Sequence, residues 1–584
     1  MSNPGQDRPS DWELVRRIWP FVAESRGWLW LVVFMIPLGV AADLVLPMLL
    51  KTGIDDGILK GDTPHLLQTA IYYFVIVFGA FVTRTLGMYG LQIAGLRALA
   101  ALRSRLFGHV MSQGQRFFDK RTTGSLMTRT TNDVEAIYES LTWGAVSLIS
   151  DALVILGTLT VMLVIDWRLS LALLALAPIL AFLVNAFRKR LRVLFLDIRK
   201  ALSRLNGFFA EQIHGMQVTQ HDGAEPRARE EFRGQAYEYL EKYRTANWLD
   251  AGLYAIMDGM SSVAVGLVIA VGAWLVEYDS GVTIGLLIAF IEYVTKVFIP
   301  IREFSSRFAT IQRAVAALER VFGLLDTDEA IESGVNPVDA QNKVLTFENV
   351  GFAYGQDRPQ VLKDINLSVG PGEVLAIVGA TGSGKSTIGK LLLRMYDGYT
   401  GQIRLGPQEI RDAETQAVRN SVAVVHQDPY LFEGTIAENI GLWSTDISED
   451  AIRDAGRLAR VDSIIRASDV GYDQHVTERG NNLSAGQRQL ISIARALARP
   501  APIVILDEAT ASVDSITEQL IDQAIGALFE SRTVIVIAHR LSTIAKADRI
   551  LVLHQGEVVE YGSHEELLAL DGHYSVLART GFSV

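Results

Sequence analysis

VLAIVGATGSGKST, residues 374–387, is the stretch on which the reading of this 584-residue chain turns. Val374–Val378 has the length and apolarity of a buried parallel strand. The segment after it fits G-x-x-x-x-G-K-[ST], with a helix expected next. Gly379, Thr381, Gly382, Ser383 and Gly384 then form a loop whose backbone N–H groups can curl around phosphate oxygens. The start of the helix adds its partial positive charge. Lys385 is placed to reach the β- and γ-phosphates and Ser386 to ligate Mg²⁺, and Thr387 closes the candidate cradle.

Two further apolar runs of strand length follow, and each ends on a chemically suggestive group. Ile503–Leu506 leads into Asp507 and Glu508. A carboxylate at a strand end facing a phosphate loop can hold Mg²⁺ through water, and the next one can orient or deprotonate an attacking water. Thr533–Ala538 leads into His539, placed for the γ-phosphate. From Val344 onward short β-rich runs alternate with helical ones, an α/β pattern.

The first half has another solvent. Mean hydropathy is +0.23 and 49% of residues are hydrophobic. Six apolar stretches precede residue 310, near Trp28–Leu50, Leu67–Gly95, Leu141–Ile165, Leu169–Phe187, Ala251–Val276 and Gly281–Ile299. About 20 helical residues cross a hydrocarbon core, so an all-α membrane domain of six helices is expected. Asp11–Phe21 carries Trp12, Val15, Ile18 and Trp19 at helical spacing, which suits a helix lying in the membrane surface and stopped by Pro20. Met1–Ser10 is polar and precedes no short apolar core with a cleavage site, so no secretory signal is expected. The loops near 51–65, 166–168 and 277–280 hold only Lys51, Lys60 and Arg168 as lysine or arginine, whereas those near 97–140 and 188–248 are long and basic. That asymmetry puts the N-terminus and the α/β domain in the cytoplasm. The long inside segments read as helical extensions with knees at 116–129 and 211–220.

The acidic excess behind the net charge of −11 lies in residues 331–584, which argues against a nucleic-acid partner. The absence of cysteine excludes disulfides, thiolate metal sites and thiol redox chemistry. The expected organisation is an interfacial segment at 1–25, a transmembrane domain at 26–322, a linker at 323–343 and a nucleotide-binding domain at 344–584.

These residues resemble one family, the ATP-binding cassette (ABC) transporters. Leu483-Ser484-Ala485-Gly486-Gln487 is similar to the signature LSGGQ. Gln427 resembles the Q-loop glutamine, Ser512-Val513-Asp514 the D-loop, His539 the switch histidine, and Tyr354 the aromatic residue that stacks on adenine. The resemblance covers the whole chain and implies an exporter-type half-transporter, similar to bacterial multidrug-like and lipid A exporters. It implies ATP and Mg²⁺, with Ser386, Gln427 and Asp507 around the metal, and a dimer in which the P-loop of one subunit and Ser484, Gly486 and Gln487 of the other enclose each ATP. Asp514 would line the same interface. The knees would be coupling helices. Ala485 stands where the signature has glycine, which favours a non-identical second half-transporter over a homodimer. The expected setting is the cytoplasmic membrane of a bacterium.

Asp43, Arg84, Asp151, Asp258, Glu292 and Lys296 fall within or near the spans. Charges at that depth cost about 2.5–3.5 kcal/mol on insertion scales and usually face a cavity. They are candidate contacts for an amphipathic small molecule, lipid or peptide, with Glu292 and Lys296 spaced to pair with each other. The alternatives are a dedicated lipid or peptide flippase and an ATP-gated regulatory membrane protein.

Overall fold

The computed structural model describes residues 10–277, 281–341, 343–355, 357–465, 470–507, 514–537 and 541–579. The chain divides into two compact units. One comprises Met1–Met111 and Thr123–Thr327; the other comprises Ser112–Thr122 and Asp328–Val584.

The first unit is helical. Helix α1, Asp11–Ala23, starts where Ser10 Oγ accepts the Glu13 N–H at 3.2 Å. Leu14 and Ile18 are buried, while Trp12 and Trp19 remain exposed. Pro20 does not end this helix, contrary to the sequence expectation. Its missing N–H falls on the exposed face beside Arg16, where water can satisfy the freed carbonyl, and the last turn runs on to Ala23.

Among the described residues six helices are long and apolar enough to cross a membrane: α2 Arg26–Ile58, α3 Thr63–Ser112, α5 Thr123–Ile165, α6 Trp167–His214, α8 Glu225–Glu277 and α9 Ile284–Leu325. The short helices α4, Gln115–Asp119, and α7, Met216–His221, fall on the two expected knees. At 1.5 Å per residue the 53 residues of α8 reach about 80 Å, well beyond a core of about 30 Å. The apolar stretches are therefore the middles of helices whose charged ends continue into water. Tyr293, fully buried on α9, donates to the Leu44 carbonyl of α2 at 2.6 Å. Asp55 receives Thr283 Oγ at 2.5 Å and the Gly285 N–H at 2.9 Å, which fixes the start of α9. A side chain at position 285 would meet the Lys51 carbonyl at 2.6 Å, so only glycine allows this approach.

The second unit is built on a six-stranded sheet. Its strands are β3 Val374–Val378, β5 Val422–Val425, β6 Ile503–Asp507, β7 Thr533–Ile537, β8 Arg549–His554 and β9 Glu557–Gly562. Their order is β9-β8-β3-β7-β6-β5. The three apolar runs read from sequence are β3, β7 and β6, adjacent and parallel at the centre: Ile377 pairs with Ile537, and Ile537 with Asp507. Strands β1 Leu345–Phe352, β2 Leu362–Val369 and β4 Thr400–Leu405 form a second, antiparallel sheet. Residues 332–336 join this unit: Arg394, 2% exposed, donates to the carbonyls of Glu332 and Ala413, and Ser333 Oγ accepts the Thr415 N–H.

Candidate functional site

Strands β3, β5, β6 and β7 run parallel, so their carboxyl ends lie along one edge, where ligands of α/β sheets bind. Gly379 follows Val378, Asp507 ends β6, and Gln427 follows β5 by two residues. Sequence reading thus found residues that the sheet brings to a common edge from 128 positions apart. Glu508 and His539 follow β6 and β7 but lie outside the described residues, as do Ser512 and Val513.

The 379–387 loop has the geometry of an anion cradle. Gly379 has φ +152° and a Cβ there would lie 2.2 Å from the Leu553 carbonyl oxygen. Gly384, at φ +106°, caps helix α10, Lys385–Leu392. Lys385 is buried and its Nζ donates to the carbonyls of Gly379 at 2.7 Å and Ala380 at 3.0 Å. Burial holds its ammonium below the ordinary lysine range, and Asp507 opposes that shift. Ser383 Oγ is buried with no hydrogen-bond partner among the described residues. A cation whose described hydrogen bonds both go to its own loop, and an orphaned hydroxyl inside the same loop, fit a phosphate group that would satisfy both. Ser386 and Thr381 are exposed, Thr387 is buried, and Thr387 Oγ1 shares a 3.0 Å hydrogen bond with Tyr354 Oη. The hydroxyl of Ser386, the amide oxygen of Gln427 and the carboxylate of Asp507 are all hard oxygen donors, the set that suits Mg²⁺.

The signature residues sit on a different helix start. Ser484 caps helix α11, Ala485–Ala498, through a reciprocal pair: its Oγ accepts the Gln487 N–H at 3.2 Å, and its own N–H donates to Gln487 Oε1 at 2.9 Å. Ala485 is the first helical residue and is exposed, and Gly486 is buried. Neither of the hydrogen bonds between Ser484 and Gln487 involves the 379–387 loop. Asp514 is a helix cap too. Its carboxylate accepts the N–H groups of Ile516 and Thr517 and the Thr517 hydroxyl, which together hold it below the usual carboxylate range.

In the first unit the six charged candidates separate into two sets. Asp43, Arg84, Asp151 and Lys296 line one cavity of about 420 Å³, together with apolar residues such as Val40, Met88, Trp143 and Ile299. Asp43 pairs with Arg84. Asp151 pairs with Arg307, which also binds Glu303. Asp258 and Glu292 are not in this cavity: Asp258 pairs with Arg302 at 3.2 Å, and Glu292 is exposed. The expected Glu292–Lys296 pair does not form, and Lys296 has no ion-pair partner among the described residues. Helical spacing permits such a pair, but Lys296 turns to the cavity while Glu292 faces outward. Arg307 was missed because it lies beyond the apolar stretch ending at Ile299; its spacing of i,i+4 from Glu303 was the available signal.

Comparisons with known proteins match both units of the chain. The family model for the ABC transporter transmembrane region matches residues 29–301, and that for the ABC transporter itself matches residues 362–511. An uncharacterised ABC transporter ATP-binding protein of Bacillus subtilis, YknV, is 34% identical, with 99% of this chain and 96% of the relative covered. The ATP-dependent lipid A-core flippase of Salmonella typhimurium is 32% identical over 98% of both. The structure of a bacterial Atm1-family ABC exporter with ATP bound superposes with a TM-score of 0.76 at 28% identity, covering 95% of this chain and 99% of that one.

Proposed function

Because this chain belongs to the ABC transporter family, as an exporter-type half-transporter with a six-span domain and an ATPase domain, we propose a specific division of labour among its residues. Its activity is ATP-driven export, and exporters of this type work as dimers. In our reading Tyr354 stacks on adenine, the N–H groups from Gly379 to Thr387 receive the phosphates, and Lys385 leaves its loop carbonyls for the β- and γ-phosphates. Ser386, Gln427 and Asp507 would hold Mg²⁺, which would supply charge neutralisation at the transferred phosphoryl group. Glu508 takes the proton of the attacking water, and His539 contacts the γ-phosphate. Ser484, Gly486, Gln487 and Asp514 serve the composite site of a second half-transporter. A non-identical partner is favoured, because the exposed Ala485 methyl stands where bare backbone would otherwise meet the partner's nucleotide.

The transport domain spans residues 26–322 and the ATPase domain 344–584, joined by 323–343, with 1–25 at the membrane surface and both termini in the cytoplasm of a bacterium. The substrate is amphipathic, a lipid or a drug-like molecule, and the cavity holding Lys296 among apolar walls receives it. The observation carrying this reading is the convergence of the 379–387 loop, Asp507 and Gln427 on one sheet edge in a chain with six spans.

The test is Mg-ATPase and mass measurement of the chain alone in nanodiscs. E508Q should retain ATP binding and lose nearly all turnover. K385A should weaken ATP binding itself. Undiminished turnover in E508Q removes the assigned base, and a dimer with full E508-dependent turnover removes the need for a non-identical partner.

A further inference from the structure

We propose that Tyr396 is a positioning residue for the Tyr354 ring and that Asp119 on helix α4 holds it there, so that ATP affinity reports whether α4 is seated. The proposal rests on the reading that Tyr354 stacks on adenine. It concerns residues of the second unit alone.

Tyr396 is 4% exposed, yet its hydroxyl donates to Asp119 Oδ2 at 2.5 Å. That is the length of a charge-assisted O–H···O⁻ bond. The other carboxylate oxygen accepts from Gln115 Nε2 at 3.1 Å, one turn earlier on α4, so the acceptor is itself oriented. Burial, and then the Asp119 carboxylate, push the Tyr396 phenol above its ordinary range, so it remains a donor across physiological pH.

The Tyr396 ring meets that of Tyr354 at a centroid distance of 5.1 Å and an interplanar angle of 86°. Phe352 meets Tyr354 at 5.0 Å and 80°. These perpendicular contacts, with the Thr387 hydrogen bond at the ring's far end, fix the plane of Tyr354. Phe352 and Thr387 belong to the strand and helix of the nucleotide-binding fold. Of these three contacts, that of Tyr396 refers the ring to the 112–122 segment, which joins this unit from the far end of the sequence. Covalently, α4 is the link between α3 and α5. Without α4 the buried Tyr396 hydroxyl would lose its acceptor, a cost that favours its reorientation and frees the Tyr354 plane.

The experiment uses the full chain in nanodiscs, or its natural dimer if a partner is needed, with ATP as the probe. Y396F and D119A should each raise the KM for ATP about three- to tenfold, the scale of one lost hydrogen bond, with kcat changed by less than about twofold. The double variant should be no worse than either single one. D119N keeps an acceptor and should restore most of the affinity. Y354A is the reference and should raise KM further. If Y354A leaves KM unchanged, the adenine assignment fails and this proposal with it. If Y354A raises KM while Y396F does not, or if Y396F and D119A add, only the present proposal is overturned.

Discussion

Lys385 spends both of its described hydrogen bonds on the loop that carries it. Its ammonium is held below the ordinary value of 10.5, so the folded chain gives up this proton before the unfolded chain does. Raising pH through the interval just under 10.5 therefore favours the folded, nucleotide-free state. We expect the melting temperature to rise over that interval and K385M to flatten the slope, read by thermal denaturation of the purified chain. Gly379 makes a second residue-scale prediction. Alanine there needs a positive φ and places Cβ 2.2 Å from a backbone oxygen, so G379A should lose ATP binding more than tenfold while the protein still inserts into membranes, measured by titration with ATP. At this scale the phosphate loop was legible because its chemistry lies in consecutive residues. The Asp119–Tyr396 contact was not, because it joins positions 277 apart and neither residue type is distinctive alone.

Helix α4 shows how much a five-residue element can carry. Phe117 is fully buried, Arg121 stacks over its ring at 4.2 Å, and Lys120 pairs with Glu329 at 2.9 Å. F117A should destabilise the second unit by about 3–5 kcal/mol, the range for a lost core aromatic, and lower its midpoint in urea. The start of helix α12, Ser515–Ser531, makes a pH prediction. Asp514 is held below its ordinary 3.8 by the Thr517 N–H first of all. Its stabilisation is present above that value and lost as pH falls through the lower folded value. D514N can still cap, so it should keep the helix start while removing this dependence on acid, whereas D514A should lose both. The knees were legible as breaks in Leu- and Arg-rich helical texture. Their packing was not, because a pattern of apolar residues does not say which neighbour covers them. Pro20 was misread for a local reason: one missing N–H on a wet face does not end a helix.

Across the whole molecule, charge is arranged by solvent. The apolar first half places two ion pairs, Asp43 with Arg84 and Asp151 with Arg307, around one cavity that Lys296 also lines. Removing one member leaves an uncompensated charge at membrane depth. R84A and D43A should therefore each reduce yield and transport, and the swapped D43R/R84D chain should recover part of both, read as monodisperse yield and vesicle transport. The six spans and the α/β domain were legible because length, apolarity and strand-end motifs are local properties. Which intramembrane charges meet was not, since pairing depends on helix rotation, which a one-dimensional pattern leaves open. The membership of Ser112–Thr122 in the nucleotide-binding unit has a practical edge. A fragment cut from residue 328 onward looks like a complete soluble ATPase on paper. It would in fact be missing eleven residues of its own fold, including a fully buried phenylalanine. Such a fragment should be sticky and should bind ATP poorly, and a synthetic peptide of residues 112–122 added in excess should mend both defects.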